Sequence, residues 1–582
     1  MSYPSLPFSM ANAKSTAMAQ RKKILFLQLP QLDNDIHGDT ENIPLAATYL
    51  QYAAERAGED AYYEFLQLPA TACSHDNPTM LAEILIRKPD LIACTMYLWN
   101  IERTLRLMQA LKKHRPHTRI LLGGPEAAYS HPFLFKKTIA DAITVGEGEV
   151  VFPALLRSFR TRKPVNYSSV ALRTPKGYRW GHTIPRPVEL SHQIPPPGHA
   201  ACRPDAKGMA YLETSRGCPM RCTYCRYPHL RRSMSFLNPD AIMARIDALK
   251  KIGAREIRFV DPTFNAHPRF HEILTRLAAF NKDGALSFFA ELNASRLTTE
   301  EAGLMVAAHF VEIEVGVQSR DATVLKAIRR PTTLSRLDAG INLLTRRGIK
   351  VTVDIMYGLP LQRVEEVKES LRWALKLRST NIQCLQTLLL PGTELRDRQH
   401  EWGIQSLLLP PYAVTKTSSM DHPAFQAIET FVARHPKLRS DVPTPQFIGR
   451  KLDLFPEQIT VTDHGKEKLS GTQTRRAFLF KGPDLFTQRA PLAKFIQQAM
   501  RTLPDNLFQF VLVPQTEEPL DLLDNLIAII HHAPPHLIDR YASVSLANKI
   551  ASRRLMIQLP KGRAISKTWT NAAEAILTAA FF

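Results

Sequence analysis

No stretch of this 582-residue chain approaches the roughly 18 consecutive apolar residues that a membrane-spanning helix needs. Cysteine is scarce: seven residues, too few and too scattered for the disulfide framework of a small secreted scaffold. Residues 1–20 contain Lys14, no acidic residue and no continuous apolar core of the signal-peptide kind, so they read as a disordered leader. The net charge of +21 has no concentrated block behind it. Residues 1–200 carry 23 Lys+Arg against 17 Asp+Glu, residues 401–582 carry 21 against 16, and the middle third holds the remaining ten positive charges. A nucleic-acid binder gathers such charge in a patch or tail, so RNA or DNA is not the expected substrate. A chain this long exceeds one hydrophobic core, and three domains are expected.

Three of the seven cysteines stand together, in Gly217-Cys218-Pro219-Met220-Arg221-Cys222-Thr223-Tyr224-Cys225. The spacing C-x3-C-x2-C puts three thiolates on one short loop. That suffices to hold three irons of a [4Fe–4S] cubane and leave the fourth iron open. The same thiolates with His229 would suit tetrahedral zinc. Cys73, Cys94, Cys202 and Cys384 are isolated and read as buried thiols.

The cysteine loop resembles the signature of the radical S-adenosylmethionine (SAM) enzymes. An extended apolar segment ending in Glu213-Thr214-Ser215-Arg216-Gly217 precedes it, and the aromatic Tyr224 stands just before the third cysteine. The resemblance implies a [4Fe–4S] cluster on Cys218, Cys222 and Cys225, SAM on the open iron, and Tyr224 beside the adenine. It also implies an electron donor such as flavodoxin or ferredoxin, and a reducing cytoplasm.

Upstream, strands and helices alternate. Strands are expected at 24–29, 61–66, 90–95, 119–124 and near 142, and helices at 44–56 and 101–114. That order predicts an α/β, doubly wound parallel sheet over 21–160, with ligands at the carboxyl ends of the strands. Three turns stand at those ends: 95–100, Gly123-Gly124-Pro125-Glu126 and Gly146-Glu147-Gly148-Glu149. Together they resemble the cobalamin-binding domain that precedes one branch of radical SAM enzymes. Thr95 takes the place of the usual tail-pocket serine. Tyr97, Gly123, Gly124, Gly146 and Glu147 are the other expected cobalamin contacts. The sequence departs from the family where histidine-ligated members read D-x-H-x-x-G. Here Asp35-Ile-His37 is followed by Gly38-Asp39-Thr40, with threonine at the glycine position. Cobalt without histidine beneath it is therefore expected, with residues 96–99 packing below the corrin.

A proline-punctuated linker is expected over 161–205, with one hairpin near Lys176-Gly177. From 206 to 395 six further strand–helix units follow, matching the partial (β/α)6 radical SAM barrel, whose chemistry sits at the strands' carboxyl ends. Asn238-Pro239 reads as an N-cap followed by proline at the first helical position. Polar residues mark the strand ends: Asp261, Thr263 and Asn265; Glu291 and Asn293; Glu314, Gln318 and Ser319; and Asp354. The family resemblance gives Asp261, Glu314, Gln318 and Ser319 to SAM.

Residues 396–582 are expected to form a small α/β domain covering the barrel mouth. Prolines 410, 411, 423, 436, 443, 445 and 456 predict extended or broken helix up to about 470. The whole resemblance implies a cobalamin-dependent radical SAM enzyme that methylates an unactivated carbon of a small molecule or peptide. In that scheme a 5′-deoxyadenosyl radical takes hydrogen from the substrate and methylcobalamin supplies the methyl group. Cyclase, oxidase or rearrangement chemistry without methyl transfer is the alternative.

Overall fold

A computed structural model describes residues 20–32, 43–186, 189–199, 202–227, 233–378, 380–438, 446–462, 469–542, 551–562 and 565–581. His37 and His229 lie outside these residues, as does the expected leader apart from Gln20.

The N-terminal sheet has seven strands: β1 (Lys22–Leu27), β2 (Tyr63–Gln67), β3 (Leu91–Thr95), β4 (Arg119–Gly123), β5 (Ala142–Thr144), β6 (Val170–Thr174) and β7 (Gly177–Trp180), in the order β2-β1-β3-β4-β5-β6-β7. The first five pair in parallel, with register Thr95↔Gly123 between β3 and β4. Helices Leu45–Arg56, Asn77–Arg87, Ile101–His114 and Gly148–Thr161 accompany them. This is the expected doubly wound pattern. The hairpin expected near Lys176-Gly177 exists, but it is not a free linker. β6 pairs antiparallel with β5 and extends the same sheet to Trp180. β5 is only three residues long and wholly buried, so its outer edge needs a partner, and the buried Val170 and Ala171 supply one.

The second sheet begins with β8 (Met209–Leu212). A short antiparallel pair, β9 (Ser215–Arg216) with β10 (Ser235–Phe236), flanks the cysteine loop. Then come β11 (Glu256–Phe259), β12 (Ser287–Glu291), β13 (Phe310–Gln318), β14 (Lys350–Tyr357) and β15 (Thr380–Gln386). Six parallel strands follow in the order β15-β14-β13-β12-β11-β8. This is the open half-barrel expected. Asn238 caps helix Pro239–Lys251 by accepting from Ala241 N at 2.7 Å. Inside, Phe259 stacks on Phe264 with ring centroids 4.2 Å apart, and on Phe288 and Phe310.

The chain beyond 395 divides, contrary to the expectation of one C-terminal unit. Residues to Leu438 stay with the barrel, since Leu395, Tyr412, Phe425, Ile428, Val432 and Leu438 join its apolar core. Short strands β16 (Gln405–Ser406) and β17 (Val414–Lys416) pair there. An intact 12-residue helix, His422–Ala433, replaces the expected broken stretch. Pro423 falls in its first turn, where no amide hydrogen bond is lost, and Asp421 caps it by accepting from Ala424 N at 3.1 Å.

The last unit is a parallel five-stranded sheet with its own core. It comprises β18 (Ile448–Gly449), β19 (Glu457–Val461), β20 (Arg475–Gly482), β21 (Leu507–Pro514) and β22 (Arg553–Gln558), in the order β18-β22-β21-β20-β19. Among the described residues, its polar contacts reach the N-terminal domain, and Arg540 Nε also donates to Pro410 O of the barrel's extension at 2.7 Å. Buried Arg476 pairs with buried Asp76, Thr474 N donates to Ser74 O at 2.7 Å, and Arg106 Nε donates to Asp505 at 3.0 Å. Among the described residues no helix is long and apolar enough to cross a membrane.

Candidate functional site

The cysteine loop leaves β8 through Glu213 and Thr214, and its path is set by Gly217 and Asp261. Gly217 has φ +101°, and a Cβ there would meet Met234 Cα and Ser233 O at 3.3 Å. A side chain would be both strained and obstructed at that turn. Asp261, at the end of β11, is fully buried. It accepts from Thr214 N at 3.1 Å, Thr214 Oγ1 at 3.0 Å, Ser215 Oγ at 2.5 Å and Ser215 N. The carboxylate given to SAM by resemblance is thus fully engaged in holding the segment that presents the cysteines. Burial pushes it up to about 7, against those donors.

Cys222 is buried, and Cys218 and Cys225 are half-buried. Burial raises the Cys218 thiol and carries Cys225 up to about 12, with the charges of the neighbouring cysteines adding to it. Thiols raised in this way resist ionising unless a cation compensates them, which suits a bound iron cluster. Among the described residues no three Cys, His, Asp or Glu side chains converge tightly enough to hold a single ion. Tyr224 packs with Val324, Leu325, Ile328 and Leu359 behind the loop.

Arg330, which the sequence reading passed over, joins the loop to the barrel. Its NH1 donates to Cys222 Sγ at 3.5 Å and its NH2 to Gly316 O at 2.5 Å. The next three strand ends carry acceptors. Glu291 and Glu314 are register partners, and Asp354 is the partner of Gly316. Glu291 is exposed at its strand end, yet its low-dielectric surroundings, reinforced by the Glu314 charge, lift it to about 7. Burial with the Glu314 and Glu291 charges lifts Asp354 well above its ordinary range. Gln318 has φ +65°, and a Cβ on Gly316 would overlap its amide. Gln318 Oε1 and Asp354 Oδ1 are buried without a donor in the protein. Asp354 also shares a side-chain hydrogen bond with Glu314; the two unpaired oxygens still demand donors, which a donor-rich, positively charged ligand would supply. Ser319 lies apart from this set. It is fully buried, and its hydroxyl accepts from Asp321 N at 3.1 Å in the following turn.

In the N-terminal domain, Thr95, Gly123, Gly124 and Gly146 line one cavity of about 160 Å³, as expected, together with Thr144 and Phe152. Gly124 has φ +98°, and a Cβ there would lie 2.7 Å from Met96 O. Glycine at 123 and 124 lets these turns pack closely on Thr144 and Met96, and at Gly146 it leaves open space, so the cavity has room for a slim ligand segment such as the nucleotide tail of cobalamin. Two expected contacts are elsewhere. Glu147 accepts from Gln193 Nε2 at 3.0 Å and lies 3.9 Å from Arg216 NH1. Tyr97 stacks on Trp99, centroids 4.4 Å apart and 8° from parallel, in the turn expected beneath a corrin.

Two family descriptions match this chain: "B12 binding domain" over residues 36–156 and "Radical SAM superfamily" over residues 212–374. The second takes in the whole cysteine loop, and a radical SAM domain implies a [4Fe–4S] cluster there in place of zinc. The cobalamin-dependent radical SAM methyltransferase TokK of Streptomyces tokunonensis is 23% identical over 392 residues, 63% of this chain and 56% of that protein. The anaerobic magnesium-protoporphyrin IX monomethyl ester cyclase of Rubrivivax gelatinosus is 23% identical over 344 residues, 56% of this chain and 61% of that protein. The chain thus spans little more than half the length of these curated relatives. Among solved structures, the cobalamin-dependent SAM radical enzyme OxsB aligns with TM-score 0.56 at 14% identity, covering 71% of this chain and 66% of that one. The radical SAM methyltransferase TsrM of Kitasatospora setae aligns with TM-score 0.54 at 17% identity, covering 65% and 76%. These likenesses speak for the fold. The chain carries a radical SAM domain preceded by a B12-binding domain.

Proposed function

We propose that this protein is a cobalamin-dependent radical SAM methyltransferase that acts on an unactivated carbon of a small molecule or peptide. The observation that carries the reading is the placement, in one chain, of the cysteine loop and its donor-starved acceptors beside the glycine-walled cavity of a B12-binding domain. Cys218, Cys222 and Cys225 would hold the cluster. Tyr224, Glu314 and Gln318 would hold SAM, and geometry adds Glu291, Asp354 and Arg330 to them. Thr95, Gly123, Gly124 and Gly146 would receive the cobalamin tail, with Tyr97 and Trp99 beneath the ring. Asp261, Ser319 and Glu147 act one layer out, as braces.

When bound, the cluster and SAM supply a carbon-centred radical and cobalamin supplies a methyl group. The chain's own part is orientation. Arg330 fixes Cys222 relative to β13, Asp261 fixes the strand before the loop, and the buried acceptors select a cationic ligand. A radical SAM domain needs an electron donor. We assign a flavodoxin or ferredoxin to that role and the reducing cytoplasm as the compartment.

Anaerobically reconstituted protein, given SAM, reductant and candidate substrates, should bind cobalamin and yield a product heavier by one methylene unit. Cys222→Ala should abolish 5′-deoxyadenosine formation. Failure to bind cobalamin, with no methylated product, would overturn the proposal. The cyclase from Rubrivivax gelatinosus among the relatives supports a second reading, ring formation. A product that loses hydrogen without gaining carbon would favour it.

A further inference from the structure

The cysteine loop is bounded by two arginines, and each reaches out of the barrel into a different turn of the B12-binding domain. Before the loop, Arg216 holds Glu213 through Nε and NH2, both at 2.8 Å. The same guanidinium reaches Glu149 Oε1 at 2.9 Å and Gln193 Oε1 at 2.6 Å, and lies over the Tyr49 ring. Glu149 itself lines the tail cavity. After the loop, Arg226 NH2 donates to Ala127 O at 2.8 Å, and its NH1 donates to Gly392 O at 2.9 Å. Ala127 closes the turn that begins at Gly124, since its N donates to Gly124 O at 3.0 Å. A Cβ on Gly392 would overlap the Arg226 guanidinium, so glycine leaves room for this crossing.

Both ends of the cysteine loop are therefore tied to turns that wall the cobalamin cavity. Neither tie is needed to close the barrel or the N-terminal sheet, whose strands pair without them. Arginine suits the task because a rigid fork can bridge two acceptors at once, and a lysine cannot reproduce that geometry.

Resting on the assignment of both cofactors above, we propose that Arg216 and Arg226 are positioning residues that clamp the cluster loop at a fixed offset from cobalamin. They touch neither the reacting atoms nor the substrate. They act by setting the distance and angle between the two cofactors. A radical formed at one cofactor must meet a methyl group at the other, and a misplacement of ~1 Å can cost about 100-fold in rate.

The test uses full-length protein loaded with both cofactors and reduced to the [4Fe–4S]+ and cob(II)alamin forms. Pulsed dipolar electron paramagnetic resonance reads the separation of the two spins. Arg226→Gln, Arg226→Lys and Arg216→Lys are compared with wild type at equal iron and cobalamin content. Wild type should give one narrow separation. Each variant should broaden or shift it, Arg226→Lys should not restore it, and 5′-deoxyadenosine formed per methylated product should rise about 10-fold or more. Gly392→Ala, which displaces the guanidinium without removing it, should reproduce the Arg226→Gln distribution. Unchanged distributions in all variants would refute the clamp while leaving the assignment of function intact. Wild-type protein that retains no cobalamin would refute that assignment, and the clamp with it.

Discussion

Replacing Gly124 with alanine should weaken cobalamin binding far more than the same change at Gly146, although both glycines line one cavity. Both need positive φ, +98° and +84°, which costs an alanine about 1–2 kcal/mol. They differ in surroundings. A Cβ on Gly146 meets nothing within 4 Å, whereas one on Gly124 lies 2.7 Å from Met96 O and 2.9 Å from Met96 N. Backbone atoms cannot swing aside like a side chain, and overpacking of this kind costs a further ~1–3 kcal/mol. In a variant whose empty turn relaxes, binding must restore the strained geometry, and the cost is expected in affinity. The losses expected are about 5- to 30-fold for Gly146→Ala, and roughly 30-fold to several thousand-fold for Gly124→Ala. Absorbance titration of the cluster-free protein with cobalamin measures both, with circular dichroism to check that each variant is folded. Affinities equal to wild type for both Gly124→Ala and Gly146→Ala would show that cobalamin does not occupy this cavity.

Three further outcomes are expected. A double-mutant cycle on Asp76→Ala and Arg476→Met, read from unfolding of the C-terminal unit, should give a coupling of about 1.5–3 kcal/mol, because the pair is buried and hydrogen-bonded; additive losses would mean that the pair does not hold the domains together. Glu291 rises to about 7, above its ordinary range, so the folded protein keeps a proton there that the unfolded chain releases near pH 4.5; stability should fall as pH rises from about 4.5 through 7, and affinity for cationic SAM should rise over the upper part of that window, with both trends flattened in Glu291→Gln. The cob(II)alamin form should show no superhyperfine splitting from an axial nitrogen, because the apolar Tyr97–Trp99 stack occupies the turn expected beneath the ring; splitting that disappears in His37→Ala would reverse this.

The elements most legible in the sequence are those fixed by local chemistry. Three cysteines at C-x3-C-x2-C announce their ligand, Asn238-Pro239 announces a helix start, and the buried parallel strands read as short apolar runs between turns. What stayed hidden depends on contacts across the chain. Asp261 looks like any polar strand end, and only the return of Thr214 and Ser215 beside it turns a candidate ligand into a brace. Arg330 sits in the pair Arg329-Arg330, which reads as solvated charge at a helix end. In the fold Arg329 does face outward to Glu394, while Arg330 turns inward to Cys222. Counting prolines failed at Pro423 because position within a helix decides whether proline breaks it, and the first turn tolerates it. The glycine turns do line one cavity, but Glu147, expected beside cobalamin, is held by Gln193 and lies near Arg216, about seventy residues away, a contact the sequence alone does not announce.

The seat of the C-terminal unit bears on the same site. Its buried Arg476 meets Asp76, which also caps helix Asn77–Arg87 by accepting from Thr79 N at 2.8 Å. Its Asp505 meets Asn77 Nδ2 at 2.8 Å and Arg106, and Arg103 in turn donates from Nε to Asn77 Oδ1 at 2.8 Å. Arg103 and Arg106 belong to helix Ile101–His114, which begins directly after the Tyr97–Trp99 turn. Asn100 locks that turn to the helix, donating to Leu29 O at 2.9 Å and accepting from Tyr97 N at 2.8 Å. Burying charges this way adds little net stability, but it penalises every arrangement that leaves one unpaired. The C-terminal unit thus meets the helix that follows the aromatic turn, while Arg216 and Arg226 join the cysteine loop to other turns of the N-terminal domain.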